Sequence, residues 1–227
     1  NRDPRLNQTY AYPGWELVRT ETYSQGGGIY IQQLAKNFSG YHQIKGFVNE
    51  TAQEAINNTD VPVLRYAEVL LIHAEAVAEL GELSQAVLDA TINVLRDRAG
   101  MPHMAMNPAT DPVQAARYPQ VSSPEILEIR RERRVELAME GYRYGDLMRW
   151  AAGELLEQEP QGIYFKGLGK YDLTGDGVED IFLIDQSESI PSGDDKELNA
   201  NGVPLIYYRA GAQGTDAGVY LSEGNSG

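Results

Sequence analysis

The stretch KYDLTGDGVEDIFLID, residues 170–185, sets oxygen-bearing side chains at a spacing able to wrap a hard cation. Asp172, Thr174, Asp176 and Asp180 occupy positions 1, 3, 5 and 9 of such a loop. Gly177 at position 6 permits the sharp turn, and Val178 offers a backbone carbonyl at position 7. Position 12 is Leu183 rather than the bidentate glutamate of an EF-hand, and no helical pattern flanks the loop. The spacing predicts a structural calcium ion (Ca2+) held by Asp172, Thr174, Asp176, Val178 and Asp180, in a loop of the kind found between strands. The competing reading is a polar turn built on Gly175 and Gly177 with no ion.

A second concentration of charge lies in RRERRVELAMEGYRYGDLMRW, residues 130–150. Glu128, Glu132, Glu136 and Glu140 are spaced by four and share one face of a helix, where like charges repel. Glu128–Arg131, Arg133–Glu136 and Glu140–Arg143 give incomplete relief within the helix. Such a carboxylate row suits a metal or an acid/base site, but a di-iron bundle needs Glu-x-x-His, and His73 has Leu70 at that offset. HExxH and GxSxG are both absent, and His42, His73 and His103 are scattered. The row therefore predicts an ion-pair clamp between helices, with Glu68, Glu75 and Glu79 supplying carboxylates to the remaining arginines. A glycoside hydrolase needs only two suitably separated carboxylates and stays as the less favoured alternative.

The elements that would carry these residues follow from periodicity. Asp60 and Pro62 open a helix in which Leu64, Ala67, Leu71, Ala74 and Ala78 form a stripe. Tyr66, Val69, Leu70, Ile72, Val77 and Leu80 widen that stripe, which predicts packing on two sides. Gly81 ends the helix, and Ser84 caps a second one carrying Leu88, Ile92, Leu95 and Ala99, closed by Gly100 and Pro102. The pair reads as an antiparallel hairpin. Residues 101–122 have no period and are expected to wander over the surface. Ser123 and Pro124 open a third helix that runs to about Glu140. A fourth spans roughly 144–158 with Leu147, Met148, Ala151, Leu155 and Leu156 inward, and IFLI (181–184) and PLIYY (204–208) read as short strands.

Bulk composition narrows the class. The 227 residues are 42% apolar and 23% charged, enough for a real core. With 19 Lys+Arg against 33 Asp+Glu, the net charge of −14 repels phosphate backbones, so nucleic acid is a poor partner. No cysteine is present, which removes disulfides and thiolate metal sites. No run approaches the about 18 apolar residues of a transmembrane helix, and NRDPRLNQTY lacks a signal-peptide core. The architecture expected is mainly α, with a loop-rich leader at 1–59, a helical hairpin core at 60–158 and a loop-rich segment at 159–227, all one domain. The SQGGG at 24–28 is read as a turn, since no GK[ST] follows it.

Three stretches, LRYAEVLLIHAEAVAELG (64–81), INVLRDRAGMP (92–102) and ERRVELAMEGYRYGDLMRW (132–150), together with the opening NRDPRL, resemble the SusD/RagB family. The resemblance implies an α-superhelix of tetratricopeptide-like hairpins with long loop insertions. It also implies a non-catalytic, lipid-anchored protein on the surface of a Gram-negative outer membrane. Such a protein binds an oligo- or polysaccharide, or in some members a peptide, and partners a TonB-dependent transporter that imports it. Gly145 stands where the family has a bulky residue, and the family's lipid-bearing cysteine and closing segment have no counterpart, so the chain is expected to be a piece of a longer protein. No ligand-binding residue is carried over. Tyr12, Trp15, Tyr23, Tyr30 and Tyr41 are the candidate sugar-stacking residues of the leader.

Overall fold

Ser123 Oγ accepts from the Ile126 N–H at 3.2 Å and Pro124 takes the first helical position, so the most charged of the described helices starts where its sequence signals say. A computed structural model describes residues 3–12, 15, 41–50, 60, 62–158 and 165–210. Among these, seven helices are present: α1 (Leu6–Thr9), α2 (Tyr66–Glu79), α3 (Gln85–Ala90), α4 (Ile92–Ala99), α5 (Pro112–Arg117), α6 (Pro124–Glu136) and α7 (Arg143–Arg149). Strands β1 (Gly169–Tyr171), β2 (Ile181–Ile184) and β3 (Ile206–Arg209) form one sheet in that order. The chain divides into two compact units, Asn1–Thr9 with Asp60–Glu159 and Tyr10–Thr59 with Pro160–Gly227. The protein is mainly helical, built of packed helix pairs.

In the helical unit α2 packs against α6 and α4, and α5 against α6. Ala67, Leu70, Leu71 and Ala74 of α2 meet Leu88, Ile92, Leu95, Ile129 and Leu137 in one core. Leu71, Leu88 and Ile92 are wholly inaccessible, and burial of such side chains contributes about 2 kcal/mol each. A second core joins Tyr118, Leu127, Leu147 and Trp150.

Several expected boundaries move. Helix α2 starts at Tyr66 rather than near Asp60, because Arg65 is extended and sends its guanidinium to Glu140 and Glu136. Leu64, the expected head of the stripe, is left exposed. The opposite face of α2 is not covered by the described residues either: Val69, Ile72, Ala76 and Leu80 are exposed, so the helix buries one side. The second helix breaks into α3 and α4 at Thr91, whose φ and ψ are −128° and −85° and whose hydroxyl donates to the Val87 carbonyl.

Residues 101–122 do not wander over the surface. Met104 and Tyr118 are core residues, and the Asn93 side-chain amide donates to the Met104 carbonyl and accepts its N–H. Helix α6 stops at Glu136, short of Glu140, and Met139 just beyond has φ 64°. The fourth helix ends at Arg149; Trp150 is buried where Met148 and Leu156, expected inward, are exposed.

The charges of α6 are sorted by direction. Glu128 accepts from Arg96 (2.5 Å) and Arg131; Glu132 accepts from Arg96 (2.9 Å) and Arg5 (2.6 Å). Glu136 gathers Arg98 (2.6 Å), Arg65 (3.1 Å) and Arg5 (3.2 Å), and Glu140 takes Arg65 (2.7 Å). The arginines of the same helix turn to α2 and α7: Arg133 reaches Asp146 at 2.8 Å and Glu68 at 3.8 Å, and Arg130 reaches Glu79 at 3.3 Å. Arg149 of α7 forks onto Glu75, which also accepts from the Trp150 indole N–H. Burial pushes the Glu75 carboxyl up, but the bonds from Arg149 and Trp150 outweigh it and hold the group below the usual range. Glu68, Glu75 and Glu79 thus supply partners from α2 as expected, while Arg134 is exposed.

Arg130 has two buried N–H-bearing nitrogens without hydrogen-bond partners, Nε and Nη1. Its guanidinium lies 4.7 Å from the Trp150 ring and 5.5 Å from Tyr118, so ring faces take the place of acceptors.

In the other unit β1 pairs antiparallel with β2, and β2 pairs parallel with β3. Ile181 is fully buried among Phe165, Tyr171, Leu173, Ile206 and Tyr208. Both expected strands form, and β1, which lacks β-branched residues, is added by pairing across the 172–180 loop.

Position within the charge network decides cost. Arg133→Met strands Glu68 and part of Asp146 and is expected to lower stability by about 3 kcal/mol in urea unfolding. Arg98→Ala, with a side chain 53% exposed, is expected to cost below about 1 kcal/mol in the same measurement.

Candidate functional site

The 172–180 loop joins β1 to β2, and its carboxylates are aimed at its own backbone. Asp172 accepts from Gly175 N–H (2.6 Å), Gly177 N–H (2.8 Å) and the Thr174 hydroxyl (3.3 Å). Burial pushes the Asp172 carboxyl up, and these donors outweigh it and hold the group below its ordinary value. Asp176 accepts from Val178 N–H at 2.8 Å. Asp180, buried beneath the turn, accepts from Leu173 N–H at 2.7 Å and Thr174 N–H at 2.8 Å. Gly175 and Gly177 both have positive φ, 78° and 86°, the conformation that the tight reversal requires.

The five predicted ligands therefore share one loop. Their donor set of carboxylates, a hydroxyl and a carbonyl is all oxygen, the chemistry a hard cation prefers. Among the described residues, however, no three His, Cys, Asp or Glu side chains converge closely enough to hold a metal ion.

The leader supplies aromatic surface. Tyr10 bridges to Gln43, and Ala11 N–H donates to the His42 carbonyl, so residues 10–12 run against 41–47. This pairing sets Tyr10 against Tyr41 with ring centroids 5.4 Å apart, and Trp15 edge-on to Phe47 at 6.4 Å. Tyr12, Tyr41 and Phe47 remain exposed at 38%, 47% and 50%. Ring faces of this kind bind the apolar faces of sugar rings or peptide side chains. Phe47 and Tyr10 were not singled out by sequence, because neither lies in a periodic element; their partnership comes only from the pairing of the two segments. Tyr23 and Tyr30 fall outside the described residues.

The carboxylate row weighed as a metal or acid/base site is engaged in ion pairs. Glu128, Glu132, Glu136 and Glu140 each hold at least one arginine. His103 contacts Asp97 at 2.6 Å on an exposed loop, and His73 lies on the exposed side of α2.

One unit is a set of ion-clamped helix pairs, and the other carries a small three-stranded sheet and exposed aromatic rings. The chain belongs to the SusD family, whose profile matches residues 1–213. It is similar to the SusD-like protein P38 of Formosa agariphila, with 32% identity over 120 residues that cover 52% of this chain and 21% of that protein. The matched stretch thus spans about a fifth of the relative's length. No solved structure matches the chain, and no helix among the described residues is long and apolar enough to cross a membrane.

Asp180 is the keystone of the turn. Asp180→Ala removes the acceptor of two N–H groups and is expected to cost about 2 kcal/mol, read as a lower melting temperature with or without calcium.

Proposed function

We propose that the chain is part of a non-catalytic, glycan-binding subunit of an outer-membrane uptake system. The family match over residues 1–213 carries this reading. In it, the protein captures an oligo- or polysaccharide at the cell surface and presents it to a TonB-dependent transporter. The whole protein would be lipid-anchored through a part outside this chain. The exposed rings of Tyr12, Tyr41 and Phe47 support sugar stacking as the mode of contact. A peptide ligand is the second reading, favoured by the same rings, since aromatic surface also receives apolar side chains.

Calorimetric titration of the protein against a panel of host and plant polysaccharides, with assay of released reducing ends, tests the reading. Binding without cleavage is expected, and Tyr41→Ala is expected to weaken it about tenfold, the loss of one good stacking contact. Release of reducing ends would overturn the non-catalytic role, and binding of peptides in place of glycans would transfer the protein to the second reading.

We propose in addition a structural calcium ion at Asp172, Thr174, Asp176, Val178 and Asp180. Its support is the 1, 3, 5, 9 spacing and the Gly177 N–H to Asp172 bond that already wraps the loop. Asp176→Ala is expected to lower the melting temperature in calcium buffer and leave it unchanged in chelator. Equal melting temperatures for both proteins in both buffers would remove the ion from the account.

A further inference from the structure

The turn between Leu198 and Pro204, which face each other across an isolated bridge, is organised around one side chain. Asn199 Oδ1 accepts from the Asn201 and Val203 N–H groups, each at 3.0 Å, and its Nδ2 donates to the Glu179 carbonyl at 3.1 Å. The Asn199 backbone closes the turn as well. Its N–H donates to the Val203 carbonyl at 2.8 Å, and its carbonyl accepts from Gly202 N–H at 2.9 Å. Gly202 has φ 75°, the left-handed conformation that favours glycine. Asn201 stands beside it, exposed, and its carboxamide makes no hydrogen bond among the described residues.

Asn199 and Asn201 are thus in opposite chemical situations. The Asn199 carboxamide is engaged through both its oxygen and its nitrogen, and the following Ala200 shields its own backbone nitrogen with a methyl group. Asn201 is the one asparagine of the chain that a glycine follows. No atom beyond its chain neighbours lies within 4 Å of where a Gly202 Cβ would stand, so the Gly202 nitrogen has open access to the Asn201 carboxamide carbon. Its hydrogen bond to the Asn199 carbonyl is what restrains it.

We propose that Asn201–Gly202 is a site of spontaneous covalent modification, at which the Asn201 carboxamide becomes a carboxylate at a rate set by the Asn199 turn. The Gly202 nitrogen, giving up its proton, attacks Cγ of Asn201. The new N–Cγ bond closes a cyclic imide, the Cγ–Nδ2 bond breaks, and Nδ2 leaves as ammonia with the proton returned to it. Water then opens the imide at either carbonyl, giving aspartate or the β-linked isoaspartate, and no oxidant or reductant takes part. Either product adds a negative charge, and the isoaspartyl form puts an extra carbon into the backbone. That carbon shifts the Gly202 and Val203 N–H groups away from Asn199 and loosens its hold on Glu179, next to Asp180. The reaction needs only water and is independent of which ligand the protein binds.

Ageing the intact chain in neutral buffer, followed by tryptic peptide mapping in heavy-oxygen water, tests this; the label marks and discounts conversion during digestion. The peptide 197–209 is expected to gain the mass of an amide-to-acid exchange faster than any other asparagine-containing peptide. Fragment ions are expected to place the change at 201 and not at 199. Asn199→Ala is expected to speed conversion about fivefold, the gain in open turn from losing neutral hydrogen bonds, and to leave the other asparagines unchanged. Asn201→Gln, whose longer side chain closes the imide far less readily, is expected to abolish the mass gain. Conversion at 201 no faster than at the other asparagines would overturn the proposal. Equal conversion at 199, an unchanged or slower rate in Asn199→Ala, or acceleration of every asparagine in that variant would overturn it too.

Discussion

The helical unit rests on neutralising one row of carboxylates. Helix α6 carries Glu128, Glu132 and Glu136 four residues apart, with Glu140 just past its end, and Glu132 and Glu136 are buried. Alone, such a helix would repel itself. Arginines from the residue preceding α1 (Arg5), from the residue preceding α2 and from α4 converge on the row, so its charge is balanced by segments far apart in sequence. The arginines of α6 do the reverse, binding carboxylates of α2 and α7. The same helix is acidic toward one set of neighbours and basic toward another.

That division has a consequence for register. A glutamate row of period four could slide by one turn and still offer Glu to Arg. The arginine side cannot: a four-residue shift replaces Arg133 by Leu137, or by Ile129 in the other direction, opposite Asp146 and Glu68. Both Ile129 and Leu137 are themselves core residues. Buried ion pairs add little net stability against well-packed apolar alternatives, but mismatched ones leave buried charge unpaired. The network therefore penalises wrong packings of α6 more than it rewards the right one. The arrangement of Trp150 follows from it, since the indole is fixed by Glu75 through its N–H and faced by Arg130, Arg143 and Arg149.

Much of this was legible in sequence, and the omissions have physical causes. The caps at Ser84 and Ser123, the left-handed stop at Gly100 and the buried spacing of Leu88, Ile92, Leu95 and Ala99 all rest on local chemistry, which a sequence displays. The sign of the clamp was also visible, because a glutamate row next to unmatched arginines demands partners. The particular partners of the row, Arg5, Arg96 and Arg98, were not, since they arrive from other segments. Thr91 breaks a helix through a side-chain bond to Val87 that competes with the backbone, and Met104 enters the core through the Asn93 amide; neither leaves a periodic trace. The strand pattern of 181–184 was clear, whereas β1 exists because the turn anchored on Asp180 brings it there. The aromatic pairs of the leader depend on segment pairing, which composition does not encode.

A double-mutant cycle on Arg96 and Glu132 tests the central claim most directly. Arg96 and Glu132 are 7% and 3% exposed and bond at 2.9 Å. Arg96→Met, Glu132→Gln and the double variant, compared by urea unfolding, are predicted to show a coupling free energy of about 2 kcal/mol, as for interacting buried charges. Additivity within about 0.5 kcal/mol would mean that the two side chains act independently, and would contradict the account of α6 as a helix held in place by its ion pairs.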